Sequence, residues 1–194
     1  QAGAGMISRR RTIPLAFVMI GGFLVGSGGW IHAKALLAQW LIGFAWSETL
    51  RQGQAMKPWP WADTTPVAKI HTVDGQKSWY VLSGATGSSL AFGPGHLPGT
   101  VLPGQVGTSI IAGHRDTQFR FLEHAQTGDR LQIQRTDGKL RTYRIVNKHI
   151  VDSRQKRLGY VTTLDQLLLV TCYPFDAINP GGPLRLVVTA RPSY

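Results

Sequence analysis

The sequence has a single cysteine, Cys172, among its 194 residues. A lone cysteine excludes an internal disulfide, a multi-cysteine zinc site and a Cys-x-x-Cys redox pair. What remains is either a buried small apolar side chain or a reactive thiol. Metal binding is not expected either, because most of the histidines have no ligand-like spacing. We also expect no cofactor. These histidines are His32, His71, His96, His124 and His149.

Acidic residues are also scarce. The chain has 10 Asp and Glu against 21 Lys and Arg, for a formal net charge of +11. Such an excess favours an anionic neighbour, either nucleic acid or anionic lipid. Only Tyr143 could serve as a base-stacking platform within the basic segment 130–157. We therefore expect membrane lipid as the anionic partner and no nucleic acid.

One long stretch lacks charge altogether. Thr12–Ile31 holds twenty residues without a formal charge and follows Arg9, Arg10 and Arg11. Twenty helical residues at about 1.5 Å each would cross a hydrocarbon core of roughly 30 Å. The arginines favour a cytoplasmic amino terminus, which puts the rest of the chain outside. We expect a basic flank at 1–11 and a single-pass anchor at 12–31; a cleaved signal peptide and a buried helix are the alternatives.

The segment 32–57 is predicted to be an amphipathic helix followed by a linker. Leu37, Trp40, Leu41 and Phe44 follow helical spacing, so this helix packs on the domain or lies along the membrane surface. The prolines in Lys57–Trp61 disfavour helix at the residues before them. The boundary of the folded domain is therefore predicted at residue 58.

From Thr65 onward, short apolar runs alternate with turn residues. This pattern predicts an all-β domain, with eight strands forming a closed or nearly closed barrel, and one short helix at Phe119–Ala125. Asp74-Gly75 and Asp137-Gly138 are hairpin signals. The predicted strands are Val67–His71, Ser78–Leu82, Ser88–Phe92, Ser109–Ala112, Leu131–Arg135, Leu140–Val151, Leu167–Thr171 and Leu186–Thr189.

Three chemically suited residues stand at strand ends. Cys172 closes one predicted strand, Arg185 precedes the next, and His114 follows an earlier strand. A thiolate nucleophile needs a nearby base or cation, which His114 could provide as the proton carrier. Arg185 can only donate hydrogen bonds and positive charge, which suits a developing oxyanion. Asp116 could orient His114, although capping a turn is the more frequent role of such an aspartate.

These residues carry a family resemblance. Thr171-Cys172 at the end of an apolar strand, Gly113-His114-Arg115 after an earlier strand, and Arg185 opening the next one resemble the sortases, which are membrane-anchored cysteine transpeptidases. Ser89–His114 and the Trp-Pro-Trp segment resemble the Gram-negative branch, class GN. The usual signature is Thr-Leu-x-Thr-Cys, and here Leu168 replaces its first threonine.

The resemblance implies an eight-stranded sortase barrel as the catalytic domain, 58–194, on the periplasmic side of the inner membrane. Cys172 would attack a threonine-like carbonyl in the C-terminal sorting signal of a substrate protein, and an amine acceptor would resolve the thioester. His114 would move the protons and Arg185 would stabilise the oxyanion. Thr171, Asp176 and Asn179 are candidate substrate contacts. The alternatives are another cysteine acyl-transferase acting on peptidoglycan peptides, and a catalytically silent, membrane-tethered binding module.

Overall fold

The computed structural model describes residues 4–72, 76–155, 164–177, 179 and 181–193. In the first helix, it describes no side chains for residues 4–16, 18, 20 and 23–27. The chain forms two compact units, Gln1–Trp40 and Leu41–Tyr194.

The first element, helix α1, runs from Ala4 to Gln52. Among the described residues, no helix is both long and apolar enough to span a membrane. Most side chains of the predicted anchor, residues 12–31, lie outside the described residues. The anchor therefore stays a prediction.

The last turns of α1 belong to the second unit and bury a narrow stripe. Ile42, Ala45, Trp46 and Thr49 are buried at the i, i+3, i+4, i+7 spacing of one helix face. The Trp46 ring lies 6.4 Å from that of Tyr80 on the barrel. Phe44, a member of the predicted apolar face, is 55% exposed. The sequence left open whether that face packs on the domain or lies along a membrane surface, and the choice stays a prediction.

Eight strands form a closed barrel in the order β1-β2-β3-β4-β7-β8-β6-β5. A short helix, α2 (Gly87–Leu90), and a 3-10 helix at Arg120–Glu123 complete the described elements. The strands are β1 (Pro66–Thr72), β2 (Ser78–Ser83), β3 (Gly95–His96), β4 (Thr108–Ala112), β5 (Arg130–Arg135), β6 (Leu140–Asp152), β7 (Gln166–Cys172) and β8 (Leu184–Pro192).

The eight-stranded barrel is confirmed, with one strand misplaced. The predicted strand Ser88–Phe92 is wrong, because α2 occupies this segment and the third strand comes later, at Gly95–His96. Ser89 is buried, and its hydroxyl accepts from the Thr86 amide at 3.2 Å and donates to the Gly84 carbonyl at 2.9 Å. A serine that bonds back to the local backbone in this way competes with strand pairing.

The sheet is buried on both faces where β4 pairs in parallel with β7. Leu167 and Leu169 point into the barrel core, whereas Leu168 and Val170 join Ile110 and Val187 in a second buried cluster on the outer face. A strand covered on both sides needs a continuous apolar run, which explains the Leu-Leu-Leu-Val of β7. This pair of strands forms the rigid support of the candidate site.

His96 in β3 is a buried histidine with no counter-charge. It is 6% exposed, and its Nε2 lies 2.9 Å from both the Val101 carbonyl and the Thr100 hydroxyl. A carbonyl only accepts, so this nitrogen carries the proton of the neutral ring. Burial lowers the pKa of His96 and outweighs the hydrogen bonds to Val101 and Thr100, which raise it.

The stability of the domain is therefore expected to fall in mild acid. The unfolded chain, where histidine titrates near pH 6.5, binds more protons than the folded chain below that pH, so the contribution of His96 is complete above about pH 6.5 and is lost as the pH drops. Each unit of lowered pKa corresponds to about 1.4 kcal/mol. Urea unfolding at pH 7.5 and pH 5 measures the effect.

His96→Gln should flatten this pH dependence, whereas His149→Gln, at an exposed position, should leave it unchanged. Some dependence should remain in His96→Gln, because burial, followed by the charge of Lys69, also lowers the pKa of His71. An unchanged pH profile in His96→Gln would contradict the assignment.

Candidate active site

Cys172 and Arg185 face each other across two neighbouring strands. Cys172 is the last residue of β7, Arg185 is the second of β8, and the two are direct partners in the antiparallel register. Residues opposed in this way have Cα atoms about 4.5–5.5 Å apart and side chains on the same face. The sequence placed the two residues at these strand ends, and the register makes them neighbours.

His114 reaches the same edge from the other side of β7. Strands β4 and β7 are parallel, and the pairing continues past β4, where the Gly113 amide donates to the Val170 carbonyl at 3.1 Å. The carboxyl ends of the two strands therefore lie together, with His114 next to Cys172 in the same cavity. This cavity has a volume of about 270 Å³, and Asn179 and Gly182 also line it.

The alternation of β7 separates the roles of its last two residues. Cys172 is half-buried on the outer face, whereas Thr171 is 2% exposed and points inward. The Thr171 hydroxyl donates to the Gly113 carbonyl at 2.8 Å, directly before His114. Thr171, a candidate substrate contact from the sequence, thus fastens β7 to the segment that carries the histidine.

The turn after β4 holds the backbone of His114 at both ends. Its amide donates to Gln118 Oε1 at 3.0 Å, and its carbonyl accepts from the Phe119 amide at 2.9 Å. Gln118 is itself held, because its Nε2 donates to the Leu90 carbonyl of α2 at 3.2 Å. The imidazole is exposed. The position of this residue is therefore fixed while its ring stays accessible.

The Arg185 guanidinium is directed at its own loop. Its Nη1 donates to the Gly182 carbonyl at 2.5 Å and to the Leu184 carbonyl at 2.8 Å. Gly182 lines the cavity of Cys172, whereas Arg185 is not among the described residues that line it. Both bonds use Nη1, which leaves the Nε and Nη2 donors for other partners.

The remaining sequence candidates are divided between neighbouring cavities. Asn179 is exposed and lines the cavity of Cys172 and His114. Asp176 is exposed and lines two adjacent cavities, one of them next to Lys148 and the other next to Arg120. Asp116, which could have oriented His114, forms its ion pair with Arg115 at 3.2 Å. The structure therefore brings Asn179 and Asp116 to the cavity of Cys172 and leaves Asp176 at its margin.

Arg115 is the residue that the sequence reasoning missed. It is 8% exposed, and its Nη1 and Nη2 donate to the carbonyls of Pro174 and Ala177 at 2.5 and 2.6 Å. It therefore ties the loop after Cys172 to the turn that carries His114. The only available signal was its place directly after the histidine, because a basic residue among many others does not stand out in a chain of this charge.

Comparison with known proteins gives matches to the folded domain. A family profile described as a sortase domain matches residues 69–193. The chain is 32% identical over 115 residues to sortase D of Bacillus subtilis (strain 168), which is 57% of this chain and 56% of that protein. The chain thus spans little more than half the length of this relative.

Solved structures show the same fold. Sortase A from Corynebacterium diphtheriae matches with a TM-score of 0.59 and 27% identity, over 69% of this chain and 63% of that one. Sortase C-1 from Actinomyces oris matches with a TM-score of 0.56 and 27% identity, over 66% of this chain and 75% of that one. None of these comparisons supports the Gram-negative class that the sequence suggested.

Gly113 is predicted to be intolerant of a side chain. A Cβ at this position would lie 2.8–3.0 Å from the Phe119 ring, which is fully buried. Gly113→Ala should therefore destabilise the domain by about 1–3 kcal/mol, as overpacking of a core does, and shift His114. Gly87→Ala is the matched control, since a Cβ there meets nothing within 4 Å. Equal unfolding free energies in the two variants would contradict this packing.

Arg115 is predicted to order the loop that follows Cys172. Arg115→Met leaves the half-buried Pro174 and Ala177 carbonyls without their donor, so hydrogen exchange should accelerate in the amides between Tyr173 and Ala177. Arg115→Lys should restore only part of the protection, because an ammonium lacks the fork that reaches both carbonyls. Arg120→Met, at an exposed arginine, is the control. Unchanged exchange in Arg115→Met would show that the loop orders itself.

Proposed function

The chain belongs to the sortase family, and on that premise we propose that it is a cysteine transpeptidase, with Cys172 as nucleophile, His114 as proton carrier and Arg185 as oxyanion donor. The observation that carries the proposal is the shared cavity of His114 and Cys172. The antiparallel register, which places Cys172 opposite Arg185, supports the proposal further.

In the first half of the proposed reaction, the Cys172 thiolate attacks a peptide carbonyl of the substrate's sorting signal. The carbon–sulfur bond forms, and the carbonyl oxygen takes the negative charge. When this intermediate collapses, the carbon–nitrogen bond breaks, and the imidazolium of His114 gives its proton to the departing amine. The products are a thioester on Cys172, a released C-terminal fragment and a neutral imidazole.

In the second half, an amine acceptor attacks the thioester carbon. The neutral His114 takes a proton from this amine, the carbon–sulfur bond breaks, and Cys172 leaves as a thiolate. The free energy of the cleaved amide is retained in the thioester, so the exchange needs no other energy source. Water in place of the amine would give slow hydrolysis, which is the cysteine peptidase activity.

The proposed role of Arg185 is to hold the oxyanion of both tetrahedral intermediates. Nη1 is engaged with the Gly182 and Leu184 carbonyls, and the proposal requires Nε or Nη2 to face the substrate in the cavity of Cys172. The charge of the guanidinium is permanent, which suits a developing oxyanion.

The finer assignments rest on the sequence alone. They are the class GN resemblance, the anchor at 12–31 in the inner membrane with the domain on its outer side, the C-terminal sorting signal and the amine acceptor. Asn179 at the cavity is the strongest candidate for a substrate contact, ahead of Asp176 and the buried Thr171.

Mass spectrometry of the intact chain tests the nucleophile. Incubation with a sorting-signal peptide should leave an acyl adduct on wild-type Cys172, whereas a peptidoglycan stem peptide should leave none. Cys172→Ala should abolish both adduct and transfer without changing the melting temperature, because the thiol makes no recorded hydrogen bond among the described residues. Transfer by Cys172→Ala would refute the proposal. An adduct with the stem peptide alone would favour an acyl-transferase that acts on peptidoglycan. If neither peptide leaves an adduct, the result would favour a binding module without catalytic activity.

Arg185→Ala is expected to lower kcat by about 10²–10³-fold, the usual cost of one oxyanion donor. Arg185→Lys should keep part of the activity, because the charge survives while the fork geometry is lost. Single-turnover thioester formation is the measurement, with Arg154→Lys as the control at an exposed arginine. Wild-type rates in Arg185→Lys would show that the guanidinium geometry has no part in the step.

A further inference from the structure

Three arginines lie side by side across three adjacent strands, away from the candidate active site. Arg144 on β6 is the direct register partner of Arg130 on β5 and also of Arg191 on β8. Directly opposed residues share a face, and neighbouring strands are about 4.8 Å apart. The three side chains are exposed. We call Arg130, Arg144 and Arg191 the arginine row.

The arginine row is a repulsive arrangement within the chain itself. Like charges placed directly opposite each other destabilise a sheet. None of the ion pairs recorded for the described part of the chain includes a residue of the row. The adjacent carboxylate, Asp129, accepts a hydrogen bond from the Gln126 amide at 2.8 Å. An external anion would relieve the repulsion.

The same face carries further features that bear on the partner. On β1, Lys69 pairs with Gln134 and so adds a cation to the face beyond β5. On β6, Leu140 lies on the side of Arg144 and is 58% exposed, and the bulge residue Val146 is 39% exposed. Cations beside exposed aliphatic side chains suit a lipid interface, whereas a surface for single-stranded nucleic acid would also carry aromatic side chains that stack on bases.

We propose that the arginine row is a docking surface for an anionic lipid bilayer. The guanidiniums meet lipid phosphates in a planar array, while Leu140 and Val146 enter the headgroup region. Arg191 is six residues from Arg185 along β8, which is about 20 Å at 3.3 Å per residue. The docked face therefore leaves the cavity of Cys172 uncovered. The proposal does not depend on the chemistry proposed for that cavity.

The test is vesicle co-sedimentation of the full chain. The quantity measured is the ratio of its partition coefficients for phosphatidylcholine vesicles with and without phosphatidylglycerol. Apolar segments of α1 contribute to both coefficients, so the ratio isolates the electrostatic part. A basic residue near an anionic surface contributes about fivefold, so the triple variant R130Q/R144Q/R191Q should lower the ratio about 100-fold.

Two further variants keep the test specific. K57Q/K77Q/K139Q removes the same charge from exposed positions outside the row and should lower the ratio no more than about fivefold. R130K/R144K/R191K keeps the three positive charges and should keep most of the wild-type ratio. Added salt should abolish the preference for vesicles with phosphatidylglycerol in all variants. The melting temperature of R130Q/R144Q/R191Q should be no lower than that of the wild type, because removal of the three charges relieves their repulsion.

Three results would overturn the proposal. The first is an equal loss in the two glutamine triples, which would reduce the effect to net charge. The second is a wild-type chain that partitions equally into neutral and anionic vesicles. The third is saturable binding of inorganic polyphosphate, abolished in R130Q/R144Q/R191Q, together with no preference for phosphatidylglycerol, which would make a soluble polyanion the partner.

Discussion

The candidate site depends on the position of β7 between a parallel neighbour, β4, and an antiparallel neighbour, β8. The parallel pairing brings two carboxyl ends to one edge, which supplies His114 and Cys172. The antiparallel pairing brings the beginning of β8 to the same edge, which supplies Arg185. The Thr171 hydroxyl on the Gly113 carbonyl secures this arrangement at the point where the ladder ends.

The apolar clusters on the two faces of β7 separate stability from chemistry. Leu167 and Leu169 face the core, and Leu168 and Val170 face the outer cluster, so the strand is held on both sides up to its last residues. Cys172 is the first outer-face residue beyond this cover, and it is half-buried rather than enclosed. The loop that follows is tied back by the buried Arg115. A cavity that exposes a thiol and an imidazole can therefore exist at the end of a very apolar strand.

The sequence predicted the features that depend on local pattern. Alternation, continuous apolar runs and turn residues located seven of the eight strands, and the end of β7 and the start of β8 identified Cys172 and Arg185. The features that the sequence did not predict depend on hydrogen bonds and packing that a local apolar pattern does not reveal. Ser88–Phe92 has strand-like composition, but Ser89 bonds to the local backbone and makes a short helix. In α1 the apolar pattern could not show which of two faces meets Tyr80. The part played by Arg115 depends on two carbonyls about sixty residues away.

The hydrogen bonds in the turn after β4 determine which motions of His114 are fast. Its hydrogen bonds fix the Cα of His114, so the exposed ring can move by rotation about its side-chain bonds but hardly by translation. In the proposed reaction, the group that protonates a departing amine and later deprotonates an arriving one must reach two positions while its backbone stays in place. Rotation of the imidazole on a fixed backbone allows this, because a ring reorients in picoseconds to nanoseconds, whereas a loop rearranges far more slowly.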